Sequence, residues 1–130
     1  MVLNIVLWVL QGLLSLVYLA HGWLFLTMTP AKAKQMAQRN PNMKPLSLPP
    51  ALRIFVGIIE PVGVLGLLLP GITHILPWLT PLAAAGLAII MVGAIFLHLS
   101  RRETSQVIAT AVLLLLLLFL VVMRWQVQPL

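Results

Sequence analysis

The chain has 130 residues, of which 62% are hydrophobic and only 8% are charged, and its formal net charge is +6. Soluble domains average about 25% charged residues, and a small domain cannot hide so much apolar surface. This composition excludes an ordinary soluble domain, a disordered chain and a nucleic-acid-binding module. The lack of cysteine excludes disulfides, thiolate metal sites and cysteine nucleophiles.

Four apolar runs, at residues 4–27, 51–69, 76–99 and 105–123, are each long enough to cross a bilayer. A span needs about 20 residues. Because the runs are continuous, they favour helices over the alternating strands of a membrane barrel. Residues 1–4 lack the basic start of a cleaved signal peptide. We therefore predict one transmembrane domain over residues 1–130, an all-α, integral membrane four-helix bundle with up-down topology.

The basic residues lie mostly on one side of this predicted bundle. Seven of the eight Lys and Arg residues are in or beside the first and third loops, and Arg124 is on the other side. The seven are Lys32, Lys34, Arg39, Lys44, Arg53, Arg101 and Arg102. The positive-inside rule then places both loops in the cytoplasm and both termini outside. We expect a multi-pass protein of a cell membrane, of the prokaryotic plasma membrane type, whose partner is the lipid bilayer.

The first loop, residues 28–50, is the long polar segment. Thr29 is a suitable helix N-cap and Pro30 a suitable first helical residue, which predicts a short helix to about Arg39. Two interpretations remain open for this loop. It is either a solvated basic surface or a lid over a cytoplasmic opening.

The first span carries a polar stripe. At about 100° per residue, Gln11, Ser15, Tyr18 and Gly22 fall within a sector about 60° wide, with His21 at its margin. A single such residue more often forms an interhelical hydrogen bond. Together they indicate a polar cavity inside the bundle.

Glu60 lies near the midplane of the second span, and the chain's other acid is Glu103. Ionisable groups inside spans are costly and usually mark function. Glu60 is either an acid that carries a proton or binds a ligand, or a neutral acid that hydrogen-bonds a neighbouring helix. With two acids in the chain, mechanisms that need paired carboxylates are excluded within one subunit. The neighbouring Pro61 is expected to kink the helix and free a carbonyl.

Two further polar residues lie toward the cytoplasmic side. Arg53 precedes Glu60 by about two turns, or about 10 Å along the axis, so the two cannot pair directly. His98 ends the third span, where it is either interfacial or part of a pocket. Arg53, His98, His21 and Glu60 form a graded series that predicts a pocket open to the cytoplasm. Haem held by His21 and His98 is disfavoured, because their depths differ by about 6–7 Å; no metal site is predicted, and His74 is incidental.

Small residues are concentrated in the second and third spans, where they allow close helix contact in lipid. This predicts that these two spans form the tight core of the bundle. The residues are Gly57, Gly63, Gly66, Ala83, Ala84, Gly86, Ala88, Gly93 and Ala94.

Four stretches resemble the DoxX-like family of small four-span membrane proteins. They are GIIEPVG at 57–63, LLLPG at 67–71, PLAAAGLA at 81–88 and GAIFLH at 93–98. The resemblance covers about residues 11–103. The family commonly has a glycine-x-x-lysine near the end of the first helix, whereas here Gly22 is followed by Trp23, Leu24 and Phe25. The role of that lysine is therefore not carried over, unless Lys32 or His21 replaces it.

The resemblance implies a four-helix membrane bundle. Some relatives are linked to quinone-coupled sulfur oxidation, some to membrane redox and detoxification complexes, and a distant animal branch to receptor assembly. It leaves open whether this chain is an enzyme.

The functional hypothesis is a small membrane protein that binds a hydrophobic ligand, a quinone or a lipid, as a subunit of a membrane redox system. Glu60 would exchange a proton as the catalytic residue, and the other pocket residues would be Tyr18, His21, Arg53 and His98, with Gln11 and Ser15 beside them. His21 or Tyr18 would bind a carbonyl, and Arg53 would attract an anionic head. Quinone is the candidate cofactor, and reduction needs an external redox partner. A homo-oligomer is a further candidate assembly. Two other functions remain alternatives, a non-catalytic accessory or assembly protein and a small proton-coupled exporter.

Overall fold

The computed structural model describes residues 1–39 and 49–130, which form five α-helices and no strand. They are α1 (Val2–Thr27), α2 (Pro30–Arg39), α3 (Pro50–Thr73), α4 (Leu79–Ser100) and α5 (Thr104–Val122), and α5 continues into a π-helical turn at Met123–Val127. All but α2 are long and apolar enough to cross a membrane. The all-helical fold with four spans is confirmed. The up-down topology and the side on which the termini lie stay predictions, and Lys44 lies outside the described residues.

Two helix ends differ from the predicted spans near the turn between α3 and α4. α3 continues four residues beyond the predicted end, through Pro70, and ends at Thr73 before His74 in the left-handed conformation. A proline removes one backbone hydrogen bond, but the remaining backbone groups are still best paired by continuing the helix. α4 begins later than predicted, because Leu76 has a φ of 52° and belongs to the turn.

Helix α2 forms as the sequence predicts. The Thr29 hydroxyl accepts a hydrogen bond from the Lys32 backbone N–H at 3.2 Å, which satisfies one of the free donors at the helix start. Ala33 is buried beneath the helix, while Lys34 and Arg39 are exposed. The short helix therefore lies on the bundle with its apolar side inward.

The most extensive helix contacts are those of α1 with α3 and of α4 with α5, and α3 and α4 are in less extensive contact. The predicted close packing of the second and third spans is present at two glycines: a Cβ on Gly66 would lie 2.7 Å from the Cβ of Ala83, and one on Gly63 would lie 2.8 Å from the side chain of Leu87. The sequence did not predict that α1 approaches α3 just as closely, where a Cβ on Gly22 would lie 2.9 Å from the ring of Pro61. Gly86 and Gly93 of α4, which were expected at helix contacts, face open space instead.

Buried apolar side chains from all four long helices form one core. They are Leu7, Leu14, Tyr18, Val64, Leu67, Ala84, Leu87, Ala88, Met91, Leu117 and Leu120. Large apolar side chains also cover the outer surface of the long helices, for example Leu16, Ile89 and Leu115. This surface requires the lipid bilayer as its surroundings.

Candidate functional site

A cavity of about 470 Å³ lies inside one half of the bundle and takes residues from all five helices. Its walls are mostly apolar, with Leu24, Phe55, Ile90, Met91 and Leu113 among them. Ala33 and Met36 of α2 also line it, so the short helix borders this cavity. The polar side chains on its wall include Tyr18, His21, Glu60, His98, Arg101, Glu103 and Gln106.

An acid–histidine pair lies on the cavity wall between α1 and α3. His21 Nδ1 is 2.6 Å from Glu60 Oε2, and the Glu60 side chain is fully buried. The residues that follow His21 and Glu60 in the sequence explain the pairing, because α1 and α3 approach each other at Gly22 and Pro61. At this distance the two side chains form a short hydrogen bond, in which the ring nitrogen donates or accepts according to its tautomer.

Two polar atoms on the same wall have no hydrogen-bond partner among the described residues. They are Glu60 Oε1 and the Tyr18 hydroxyl, and both are buried. A buried polar group without a partner costs about 1–3 kcal/mol. Each of the two atoms therefore has an unused capacity for a hydrogen bond.

A second acid–histidine pair lies at the turn between α4 and α5. Glu103 Oε1 is 2.7 Å from Arg101 Nε and 3.8 Å from His98 Nδ1. Both acids of the chain thus line one cavity, each near a histidine. Sequence reasoning did not select Glu103 as a site residue. The sequence signal for Glu103 was that the chain has two acids and that this acid lies beside a span.

Arg53 does not line the cavity itself but is bound to the end of α1, where two cavity-lining residues lie. Its Nη1 donates hydrogen bonds to the carbonyl of Phe25 at 2.7 Å and to that of Met28 at 2.8 Å. The last carbonyls of a helix have no intrahelical donor and carry partial negative charge, which a guanidinium satisfies. The expectation that Arg53 does not pair with Glu60 is confirmed. Its place at the pocket mouth stays a prediction, because the two residues that it bonds line the cavity.

The predicted polar stripe of α1 divides into two parts. Tyr18 and His21 line the cavity. Gln11 instead donates through Nε2 to the Leu67 carbonyl at 2.8 Å, and Ser15 donates to the Gln11 carbonyl at 2.7 Å. Gln11 and Ser15 thus lie beyond the cavity wall, in hydrogen bonds that the protein itself supplies.

Arg124 completes a buried polar cluster with Gln11 and Asn4. Its Nε donates to Gln11 Oε1 and its Nη1 to Asn4 Oδ1, each at 2.7 Å, and Nη1 also reaches the Gln128 carbonyl at 3.2 Å. The guanidinium lies 5.7 Å from the centre of the Trp8 ring, and Nη2 has no partner among the described residues. We call Asn4, Gln11 and Arg124 the Arg124 cluster. The sequence signal for it was the seven-residue spacing of Asn4 and Gln11, which puts both on one face of α1.

The histidines divide by position. His21 and His98 line the same cavity, whereas His74 is exposed at the end of α3. Among residues 1–39 and 49–130, no three His, Asp or Glu side chains converge in a way that could hold a metal ion.

A model of the DoxX-like family matches residues 9–120, which is most of the chain. The chain therefore belongs to the DoxX-like family, and the resemblance seen in the sequence is confirmed. The matched region includes Tyr18, His21, Glu60, His98 and Glu103 and ends before Arg124. No curated protein and no solved structure matched the chain.

Proposed function

We propose that this DoxX-like membrane protein binds a hydrophobic small molecule with a polar head, a quinone or a lipid, as a subunit of a membrane redox system. One observation carries the proposal. Two neighbouring residues that line a mostly apolar cavity, Glu60 and Tyr18, each have a buried polar atom without a partner among the described residues, Oε1 and the hydroxyl. Ligand pockets typically combine apolar walls with a few convergent polar groups.

The size of the cavity fits such a ligand. Its volume of about 470 Å³ lies within the range of about 300–1,000 Å³ that is usual for small-molecule sites. In the proposed complex the apolar body of the ligand lies against Phe55, Ile90 and Leu113, and its head lies at Tyr18 and Glu60. His21 holds the carboxyl group of Glu60 in place from the other side.

The pair of Glu60 and His21 would supply proton exchange for a bound quinone. The 2.6 Å contact joins the carboxyl group directly to a second ionisable group, and in this proposal a proton passes between them with little movement. The electrons for such a reaction would come from a redox partner protein in the membrane.

One observation favours a second candidate, a non-catalytic accessory or assembly protein. The Arg124 cluster shows that polar residues in this chain also join helices without any ligand, because Gln11 and Asn4 hold the guanidinium directly. If the pair of Glu60 and His21 did the same, the cavity would be a packing defect.

Two glycines on α4 provide a matched test. Gly93 lines the cavity, Gly86 lies on α4 away from it, and a Cβ at either position would meet no atom within 4 Å. Gly93→Leu should therefore fill part of the cavity, and Gly86→Leu should leave it unchanged. Bound molecules are extracted from the purified protein, and the quinones and lipids among them are quantified by mass spectrometry.

The proposal expects the native chain and Gly86→Leu to retain one molecule of a quinone or of one lipid class, and Gly93→Leu to lose most of it. Equal retention by both variants would contradict the cavity as the binding site. A native chain that carries only the detergent and the bulk lipid mixture would favour the accessory protein.

A further inference from the structure

We propose that the head of the ligand carries a hydroxyl group that donates a hydrogen bond to Glu60 Oε1 and accepts one from Tyr18. The proposal rests on the proposed function, because it specifies the ligand of that same cavity. It selects a hydroquinone, or a lipid with a free hydroxyl, over a quinone or an ester-only head.

The first step is the hydrogen-bonding character of Glu60 Oε1. The proton between Glu60 and His21 lies on the Oε2 side, where Nδ1 is 2.6 Å away. If His21 holds the proton, Oε1 belongs to a carboxylate and accepts. If Oε2 holds it, Oε1 is the carbonyl oxygen of a carboxylic acid and again accepts. The proposal takes these two states, in which Oε1 carries no proton, so the atom that lacks a partner requires a donor.

The second step is that no described residue supplies this donor. Glu60 Oε1 and the Tyr18 hydroxyl are both buried and both unpartnered, so they are not bonded to each other. Both residues line the same cavity. In the proposed complex the donor for Oε1 comes from a molecule in that cavity.

The third step is the match to a hydroxyl group. A hydroxyl donates once and also accepts, so one ligand oxygen can satisfy Glu60 Oε1 and receive the Tyr18 proton. A quinone carbonyl or an ether oxygen only accepts, which serves Tyr18 and leaves Oε1 buried without a donor. A site built to bond a hydroxyl rejects analogues that lack it, because its own polar groups are then left unpaired.

The test uses two redox-inert probes with one tail, 4-decylphenol and 4-decylanisole, which differ by a methyl group on the oxygen. Their dissociation constants are measured by calorimetry on the purified full chain in detergent. The native chain should bind the phenol at least about tenfold more tightly than the anisole. Because this comparison needs no variant, its outcome does not depend on the folding of a mutant.

Two variants test whether Glu60 causes the preference for the phenol over the anisole. Glu60→Met removes the acceptor at similar size and should abolish the preference. Thr110→Val is the matched control, because this lining hydroxyl already donates to the Gln106 carbonyl at 2.7 Å. It should leave the preference unchanged. A preference that persists in Glu60→Met would overturn the assignment to Glu60.

A second pair, dodecanol and dodecyl methyl ether, separates the two sources of the hydroxyl. Tighter binding of the phenol than of dodecanol identifies a hydroquinone, and the reverse order identifies a hydroxyl-headed lipid. Equal binding within both pairs would overturn the hydroxyl requirement and leave the proposed function standing. If no probe binds, both the requirement and the proposed function fail.

Discussion

Two polar clusters lie inside this apolar bundle, and they differ in what supplies their hydrogen bonds. In the Arg124 cluster, the guanidinium donates to Gln11, Asn4 and the Gln128 carbonyl. On the cavity wall, Glu60 has one partner, His21, and its second oxygen has none among the described residues. Gln11, Arg124 and Glu60 are all buried, so burial of a polar residue in a span does not by itself identify a binding site. Each cluster also has an atom without a partner among the described residues, Arg124 Nη2 in one and Glu60 Oε1 in the other. The feature that separates the two is that Glu60 lines the cavity.

The largest effect is expected in the Arg124 cluster. Gln11→Leu keeps the size of the side chain but removes the bonds to Arg124 Nε and to the Leu67 carbonyl. We expect it to lower the free energy of unfolding by about 3 kcal/mol, because a buried charge loses a partner. Denaturant unfolding in detergent measures the change.

The double variant Gln11→Leu with Arg124→Met is the control for this prediction. It removes the charge together with its partner and should recover part of the lost stability. A single variant that unfolds like the native chain would show that the Arg124 cluster adds nothing to stability.

The next effect concerns the helix contact that positions Glu60 and His21. Gly22→Ala places a Cβ 2.9 Å from the Pro61 ring and should push α1 from α3. We expect a cost of about 1–3 kcal/mol from overpacking. Gly12→Ala on the same helix is the matched control, because a Cβ there meets nothing within 4 Å; it should be neutral or slightly stabilising. Equal melting temperatures for the two variants would contradict the close contact at Gly22.

A smaller effect of opposite sign is expected at Tyr18. Tyr18→Phe removes the buried hydroxyl that has no partner, so the ligand-free protein should gain about 1 kcal/mol. The same variant should bind the ligand several-fold more weakly, because one hydrogen bond to the head is lost. Thermal unfolding with and without added 4-decylphenol measures both changes. A loss of stability in the ligand-free protein would show that the Tyr18 hydroxyl stabilises the fold, as the polar groups of the Arg124 cluster are expected to do.

The last prediction involves no change in stability. It concerns the side of the membrane on which α2, the short helix that borders the cavity, lies. The chain has no cysteine, and Gln35 is exposed on α2, so Gln35→Cys gives a unique label site. The positive-inside rule predicts labelling from the cytoplasmic side alone. A cysteine at Gln126 should react only from the opposite side. Labelling of position 35 from outside intact cells would reverse the assignment.

The sequence determined the helices and the residues that are costly in lipid. Runs of apolar residues required four spanning helices, because lipid offers no partner for free backbone groups. Thr29 and Pro30 predicted the start of α2, which the hydrogen bond from the Lys32 N–H confirms. Glu60 and His21 were selected as site residues because of their cost in a span, and both line the cavity. Whether they bind a ligand stays a proposal.

Only the tertiary structure decided which polar side chains meet. Helical periodicity fixes the face on which a residue lies, but not the neighbouring helix that this face contacts. Gln11 and Tyr18 lie on one stripe of α1, yet Gln11 bonds Arg124 of the distant C-terminal turn and Tyr18 lines the cavity. Arg53 binds the carbonyls of Phe25 and Met28 at the end of α1. These partners lie 25 to 113 residues apart along the chain. The packing of the helices brings them together, because in lipid the contacts between helices depend on shape and hydrogen bonding more than on hydrophobicity.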